Sequence, residues 1–120
     1  MNPDYELANC EDLAALSPAT FELLPAEIRY ACKAGDVVKL IFCDMRPGIP
    51  GERMWVEITG SESNPWWQGD KYFGVLRNQP AFIQDLKFGD EVEFGPQHIA
   101  DRLTDEQIAK AWWNRDEAAA

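Results

Sequence analysis

At 120 residues, with 46% hydrophobic and 27% charged residues, the chain has the length and composition of one globular domain and not of a disordered segment. Its 11 basic and 21 acidic residues give a net charge of −10, which sets it against phosphate backbones and anionic membrane surfaces and favours a basic protein partner. No apolar run reaches membrane-spanning length, and the first residues lack a basic stretch followed by an apolar one, so the expected location is cytoplasmic.

Chain order then gives the expected elements. Asn9 caps a short helix through Leu16, with Asp12 in its first turn and Leu13 and Leu16 as its apolar contacts. Cys10, the first of three cysteines, has no CxxC neighbour, and neither do Cys32 and Cys43. With His98 as the one histidine, neither a zinc site nor a disulfide framework is expected, and no cofactor. Ser17-Pro18 interrupts the helix, and Thr20 to Leu24 reads as a short extended segment. Pro25 opens a second helix to about Lys33, with Ile28 and Cys32 on one face, and Gly35 stops it.

From Asp36 the period changes to that of strands. Val37 to Cys43 is an apolar run broken by Lys39, and Cys43 reads as a buried small hydrophobe. Asp44 to Glu52, with two prolines and two glycines, is a loop. Arg53 to Thr59 alternates: Met54, Val56 and Ile58 take the core face, and Arg53, Trp55, Glu57 and Thr59 the other. Gly60 to Asp70 is a second loop. Lys71 to Arg77 is a third strand, with Tyr72, Gly74 and Leu76 on one face and Phe73 and Val75 on the other. A short strand is expected at Ala81 to Ile83, then a turn at Lys87 to Asp90 and a strand with Val92 and Phe94 inward. Thr104 and Gln107 form a capping box for a helix to about Asn114.

The expected fold is therefore α+β, in a single domain. Helices occupy the N-terminal part (1–35), a sheet the middle (36–95), and a C-terminal helix residues 103–114. Five short strands with intervening loops predict a small, strongly bent antiparallel sheet or an SH3-like barrel.

Four segments carry a likeness to a known family: Gly35-Asp36-Val37-Val38-Lys39-Leu40-Ile41-Phe42, Glu52-Arg53-Met54-Trp55-Val56-Glu57, Gly74-Val75-Leu76-Arg77-Asn78-Gln79-Pro80 and Phe88-Gly89-Asp90-Glu91-Val92-Glu93-Phe94, ending at His98-Ile99. Over Phe21 to Ile99 the chain resembles the bacterial family called domain of unknown function 2314, which is similar to immunity-type domains of polymorphic toxin systems. The resemblance implies a bacterial α+β domain with a bent sheet. It implies no activity.

No nucleophile, base and orienting group stand together in a pattern that would mark a catalytic set. His98 can be drawn with Asp101 or Glu93 as an acid–base pair, the basis of an alternative reading as a small enzyme. A lone histidine near a strand end more commonly makes a structural hydrogen bond. Trp55 lies between Arg53 and Glu57 on the polar face of its strand. If that strand pairs with Lys71 to Arg77, the indole lies over Gly74, either as a recognition platform or as packing beneath the C-terminal helix. Asn78, before Gln79-Pro80, is expected to bond its own backbone in a turn. Trp66 and Trp67 follow Asn64-Pro65 in a polar loop, where adjacent indoles are hard to bury.

The candidate binding residues are Arg53, Trp55, Glu57, Trp66, Trp67, Tyr72, Asn78 and His98. Together they point to a non-catalytic module that binds another protein, and the family resemblance implies an immunity-like role for it. Replacing both Trp66 and Trp67 by alanine should abolish binding while leaving thermal unfolding unchanged; unfolding of that variant would reject a contact role for the pair.

Overall fold

A computed structural model describes residues 5–44, 46, 48, 51–64, 69–83 and 86–111. Its core is the inward face of a curled antiparallel sheet, built where the sequence alternates. The elements run β1 (Tyr5–Leu7), α1 (Cys10–Leu16), α2 (Ala26–Arg29), β2 (Val37–Asp44), β3 (Glu52–Asn64), β4 (Gly69–Leu76), β5 (Glu91–Phe94), a 3₁₀ turn (Pro96–His98), β6 (Ile99–Arg102) and α3 (Asp105–Ala109). The sheet order is β1-β2-β3-β4-β5, and β6 returns to pair with β2 on the edge that β1 also uses. The fold is thus α+β, a bent antiparallel sheet on the way to barrel closure, as expected.

Val38, Leu40 and Phe42 of β2 meet Met54, Val56 and Ile58 of β3 on the inner face. Tyr72 and Leu76 of β4, Val92 and Phe94 of β5, and Ile99 of β6 complete the lining. Burying each such side chain contributes about 1.5–3 kcal/mol, so this face outweighs every local preference in the chain. Between β3 and β4 the register shifts at Ile58/Gly60, and the ladder resumes from Gly60↔Phe73 to Asn64↔Gly69. Such a bulge bends the sheet.

Several expectations are corrected. Residues 1–35 are not wholly helical, because Tyr5–Leu7 forms a strand against Asp44–Phe42. The segment Thr20 to Leu24 starts in a turn at Thr20 and joins no sheet. The second helix is the short Ala26–Arg29, capped by Pro25, although Gly35 adopts the expected positive φ of 96°. Leu16 is exposed, since α1 turns Cys10 inward and a residue six positions on points away from it. Cys43 is half-buried rather than fully interior. Gly60 to Asn64 extends β3 instead of opening a loop: a two-stranded ribbon needs ladder bonds, which a polar sequence supplies without hydrophobic alternation.

Ala81 to Ile83 is not a strand. The N–H groups of Ala81, Phe82 and Ile83 all donate to the Glu52 carboxylate, at 2.8, 2.7 and 2.9 Å. Three successive donors converging on one acceptor exclude the alternation of a strand. Glu52 sits on the inner face opposite Phe42, where burial pushes its pKa up; the three backbone donors outweigh that and hold it below the usual carboxylate range. β6 carries no strand signal beyond Ile99, and α3 stops at Ala109 because Lys110 closes it with bonds to Glu106 and Gln107 carbonyls. The capping box of Thr104 and Gln107 is present.

Gly74 marks the closest approach of β4 to β3. A β-carbon there would lie 2.6 Å from both Val56 Cγ1 and the Glu57 carbonyl oxygen, and the carbonyl cannot swing aside. Gly74→Ala should therefore destabilise the fold by about 1–3 kcal/mol, read as a lower urea midpoint. An unchanged midpoint would show that the strands can separate without cost.

Candidate functional site

Alternation along β3 sends Arg53, Trp55 and Glu57 to the outer face, and the register with β2 sets Ile41, Lys39 and Val37 beside them in turn. Lys39, the one cation in β2, places its ammonium 4.7 Å from the centroid of the Trp55 ring. A cation over an indole is attracted by the ring quadrupole, by about 0.5–1 kcal/mol where exposed and more where water is excluded. On the far side of Lys39, β6 sets Asp101 in register with it. The resulting row across the sheet reads Asp101, Lys39, Trp55.

The indole's own main chain is clamped. Arg77 N–H donates to the Trp55 carbonyl at 2.9 Å, and the Trp55 N–H donates to Asn78 Oδ1. Asn78 therefore does not bond its own backbone. Beyond Leu76 the two strands diverge, and the asparagine side chain supplies the acceptor that the ladder no longer offers. Arg77 Nε donates to Glu57 Oε1 at 3.0 Å, and its guanidinium lies 5.6 Å from the Phe88 ring. Glu57 is thus engaged by Arg77, whereas Arg53 is exposed.

Beside this row is a cleft of about 420 Å³. Its floor is formed by Lys39, Arg53, Ala100 and Asp101, and its wall by the segment Thr20–Pro25. Phe21, Leu23 and Leu24 give the wall an apolar surface, and Glu22 adds a second carboxylate. An apolar wall with two cations and two anions suits a peptide-like ligand, which carries both signs of partial charge and apolar side chains. Lys39 and the Thr20–Pro25 wall escaped the sequence reading. The signal for Lys39 was its parity with Trp55 once β2 and β3 pair; the wall had none.

Of the predicted residues, Arg53, Trp55, Glu57 and Asn78 come together here. Tyr72 does not: it is 2% exposed, its hydroxyl donates to the Arg29 carbonyl at 2.8 Å, and its ring packs 5.5 Å from that of Phe94. Tyr72 lies on the inner face because it shares parity with Leu76, and it is a core residue. Trp55 does not cover Gly74, whose missing side chain would point at Val56, on the opposite face. Trp66 and Trp67 lie outside the described residues.

His98 stands apart, by a second cleft lined by Tyr5, Glu6, Leu7, Glu91 and Glu93. Its Nδ1 accepts the Gly95 N–H at 2.9 Å, which closes the 3₁₀ turn and leaves the ring proton on Nε2. Burial lowers its pKa, against a weaker upward pull from Glu11, so the ring is neutral. Cys10 donates to the His98 carbonyl at 3.3 Å, and burial pushes its thiol up to about 11, far from a reactive thiolate. Among the described residues no group of three histidine, cysteine or carboxylate side chains is placed to hold a metal ion.

The chain matches no protein-family model, no curated protein and no solved structure. No helix among the described residues is long and apolar enough to cross a membrane.

Because the folded pKa of His98 lies below its unfolded value, its contribution to stability is complete above about pH 6.5 and is lost as pH falls toward the folded value. Glu52 loses its own contribution later, below the unfolded carboxylate value of about 4.3. Urea titrations between about pH 7 and pH 5 should show wild-type stability declining. His98→Gln, which can still accept the Gly95 N–H, should be flat across that window; parallel curves would remove the histidine from the account.

Proposed function

We propose that this chain is a non-catalytic protein-binding module that meets its partner through the outer face of β2 and β3. The observation that carries this reading is the Lys39–Trp55 stack beside the cleft of about 420 Å³, which the exposed Arg53 helps to line. Trp55 is half-buried, its main chain is fixed by Arg77 and Asn78, and its ring carries the Lys39 ammonium, which suits it to the anchoring role that tryptophan takes at interfaces. The net charge of −10 draws a basic partner at long range. The family resemblance supports placing such a module in the bacterial cytoplasm, where an immunity-like role means occluding a toxin by contact rather than by chemistry.

A small enzyme built on His98 is the second reading, supported by the cleft that brings Glu91 and Glu93 to the same side of the molecule as the imidazole. It is weaker, since Nδ1 is spent on the turn and burial makes the ring harder to protonate.

Affinity capture from a bacterial lysate, followed by mass spectrometry, should retain a protein on the wild-type chain and on His98→Gln. The double variant Trp55→Ala/Arg53→Glu should lose it, with affinity falling by at least about thirtyfold, the weight of a tryptophan hot spot. Equal capture by wild type and the double variant would overturn the assignment of this face.

A further inference from the structure

The two ends of the sheet leave a slot, and its walls are strand edges. Among the described residues β1 pairs only with β2, and β5 only with β4. Ala8 N–H donates to the Ile41 carbonyl, so in the register of β1 with β2 the main-chain groups of Glu6 face β2 and those of Tyr5 and Leu7 face away. Leu76 N–H donates to the Asp90 carbonyl, so Val92 and Phe94 bond β4, and the main-chain groups of Glu91 and Glu93 face away. Tyr5, Leu7, Glu91 and Glu93 are four of the residues that line the cleft of about 480 Å³ between these strands, and His98 lies with them. Four residues thus direct donors and acceptors with no ladder partner into one space.

Direction fits as well. Every pairing from β1 to β5 is antiparallel, so four steps bring β5 back to the direction of β1. A chain entering between them in the opposite sense is antiparallel to both edges at once, the geometry with the stronger ladder.

Parity also sets what such a chain must carry. Tyr5 and Leu7 pack on the core and Val92 is buried, while Glu6, Glu91 and Glu93 are exposed on the outside. Lys71 lies 3.9 Å from Glu93, a loose exposed contact that leaves Glu6 and Glu91 unbalanced. The occupant's inward residues therefore meet apolar side chains and its outward residues meet carboxylates.

We propose that the slot between β1 and β5 accepts an extended segment of a partner protein, alternating basic and apolar residues, as an added strand. The site is separate from the Trp55 face and does not depend on it.

A fluorescently labelled peptide, Lys-Val-Lys-Val-Lys, tested by anisotropy at about 0.15 M salt, supplies the experiment. It should bind the full chain, and in hydrogen exchange it should slow the amides of Tyr5, Leu7, Glu91 and Glu93. Glu91→Lys/Glu93→Lys, both exposed positions, should weaken binding by at least about tenfold, whereas Trp55→Ala should leave it unchanged. A peptide with glutamate for lysine should not bind. Neither should peptides N-methylated at alternate residues in either phase, because an added strand uses both of its edges. Absence of binding, equal binding of the N-methylated peptides, or protection away from the four named amides would each overturn the proposal; the second would identify plain charge attraction.

Discussion

Arg29 holds the N-terminal third of this chain to its sheet. The residue is 4% exposed, a position a guanidinium occupies only when its hydrogen bonds are met. Nη1 reaches Glu11 of α1 at 2.6 Å and the Pro96 carbonyl of the 3₁₀ turn at 3.3 Å, and Nε donates to the Leu24 carbonyl at 2.6 Å. Its own carbonyl receives the Tyr72 hydroxyl from β4. One side chain and one carbonyl thereby join four parts of the fold, three of them far from Arg29 in sequence. Only the arginine of this ion pair is buried, and a buried guanidinium is unforgiving of losing its acceptors. Its value here is positional: it seats Leu24, and with it the segment that walls the outer cleft.

Glu52 performs the matching task at the other end of the core. Three backbone donors from residues 81–83 close on its carboxylate, so the crossing from β4 to β5 is fixed by β3 rather than by pairing of its own. Held this way, the crossing sends β5 antiparallel to β4, and the 3₁₀ turn then carries the chain across to β2 as β6. β6 and β1 share one edge of β2, and among the described residues neither pairs with β5, so the sheet stays open between that edge and β5. The slot is the part of that opening between β1 and β5.

These buried charges explain how much of the molecule the sequence disclosed. Met54, Val56 and Ile58 announced an inward face because apolar residues at period two have no better use, and Val92 with Phe94 did the same. Gly35 and the Thr104–Gln107 box were legible because their signals are local: a left-handed φ and a side chain reaching three residues. Arg29 and Glu52 were not, since a charged residue in isolation reads as solvated, and only tertiary contacts distant in sequence reveal its partners. β1 and β6 were missed for a related reason. Three or four residues of mixed polarity pair because β2 offers an edge, not because they prefer to be extended. On the outer face, Arg53, Trp55 and Glu57 followed from parity, whereas Asn78 needed the divergence of β3 from β4 before its acceptor role had meaning.

The same parity separates the charges of the two clefts. Lys39, Arg53 and Arg77 gather on the outer face of the sheet, in a chain where acids outnumber bases by 21 to 11. Glu6, Glu91 and Glu93 border the slot. Lys39 and Arg53 share the outer cleft with Glu22 and Asp101, and Arg77 is paired with Glu57, so a partner drawn by the summed field meets both signs there, whereas the acidic rim of the slot attracts basic residues up to contact. A segment of mixed charge with apolar side chains fits the outer cleft, its acids against Lys39 and Arg53 and its bases against Glu22 and Asp101. One cleft of mixed charge and one acidic cleft on the same small sheet thus suit segments of different chemistry.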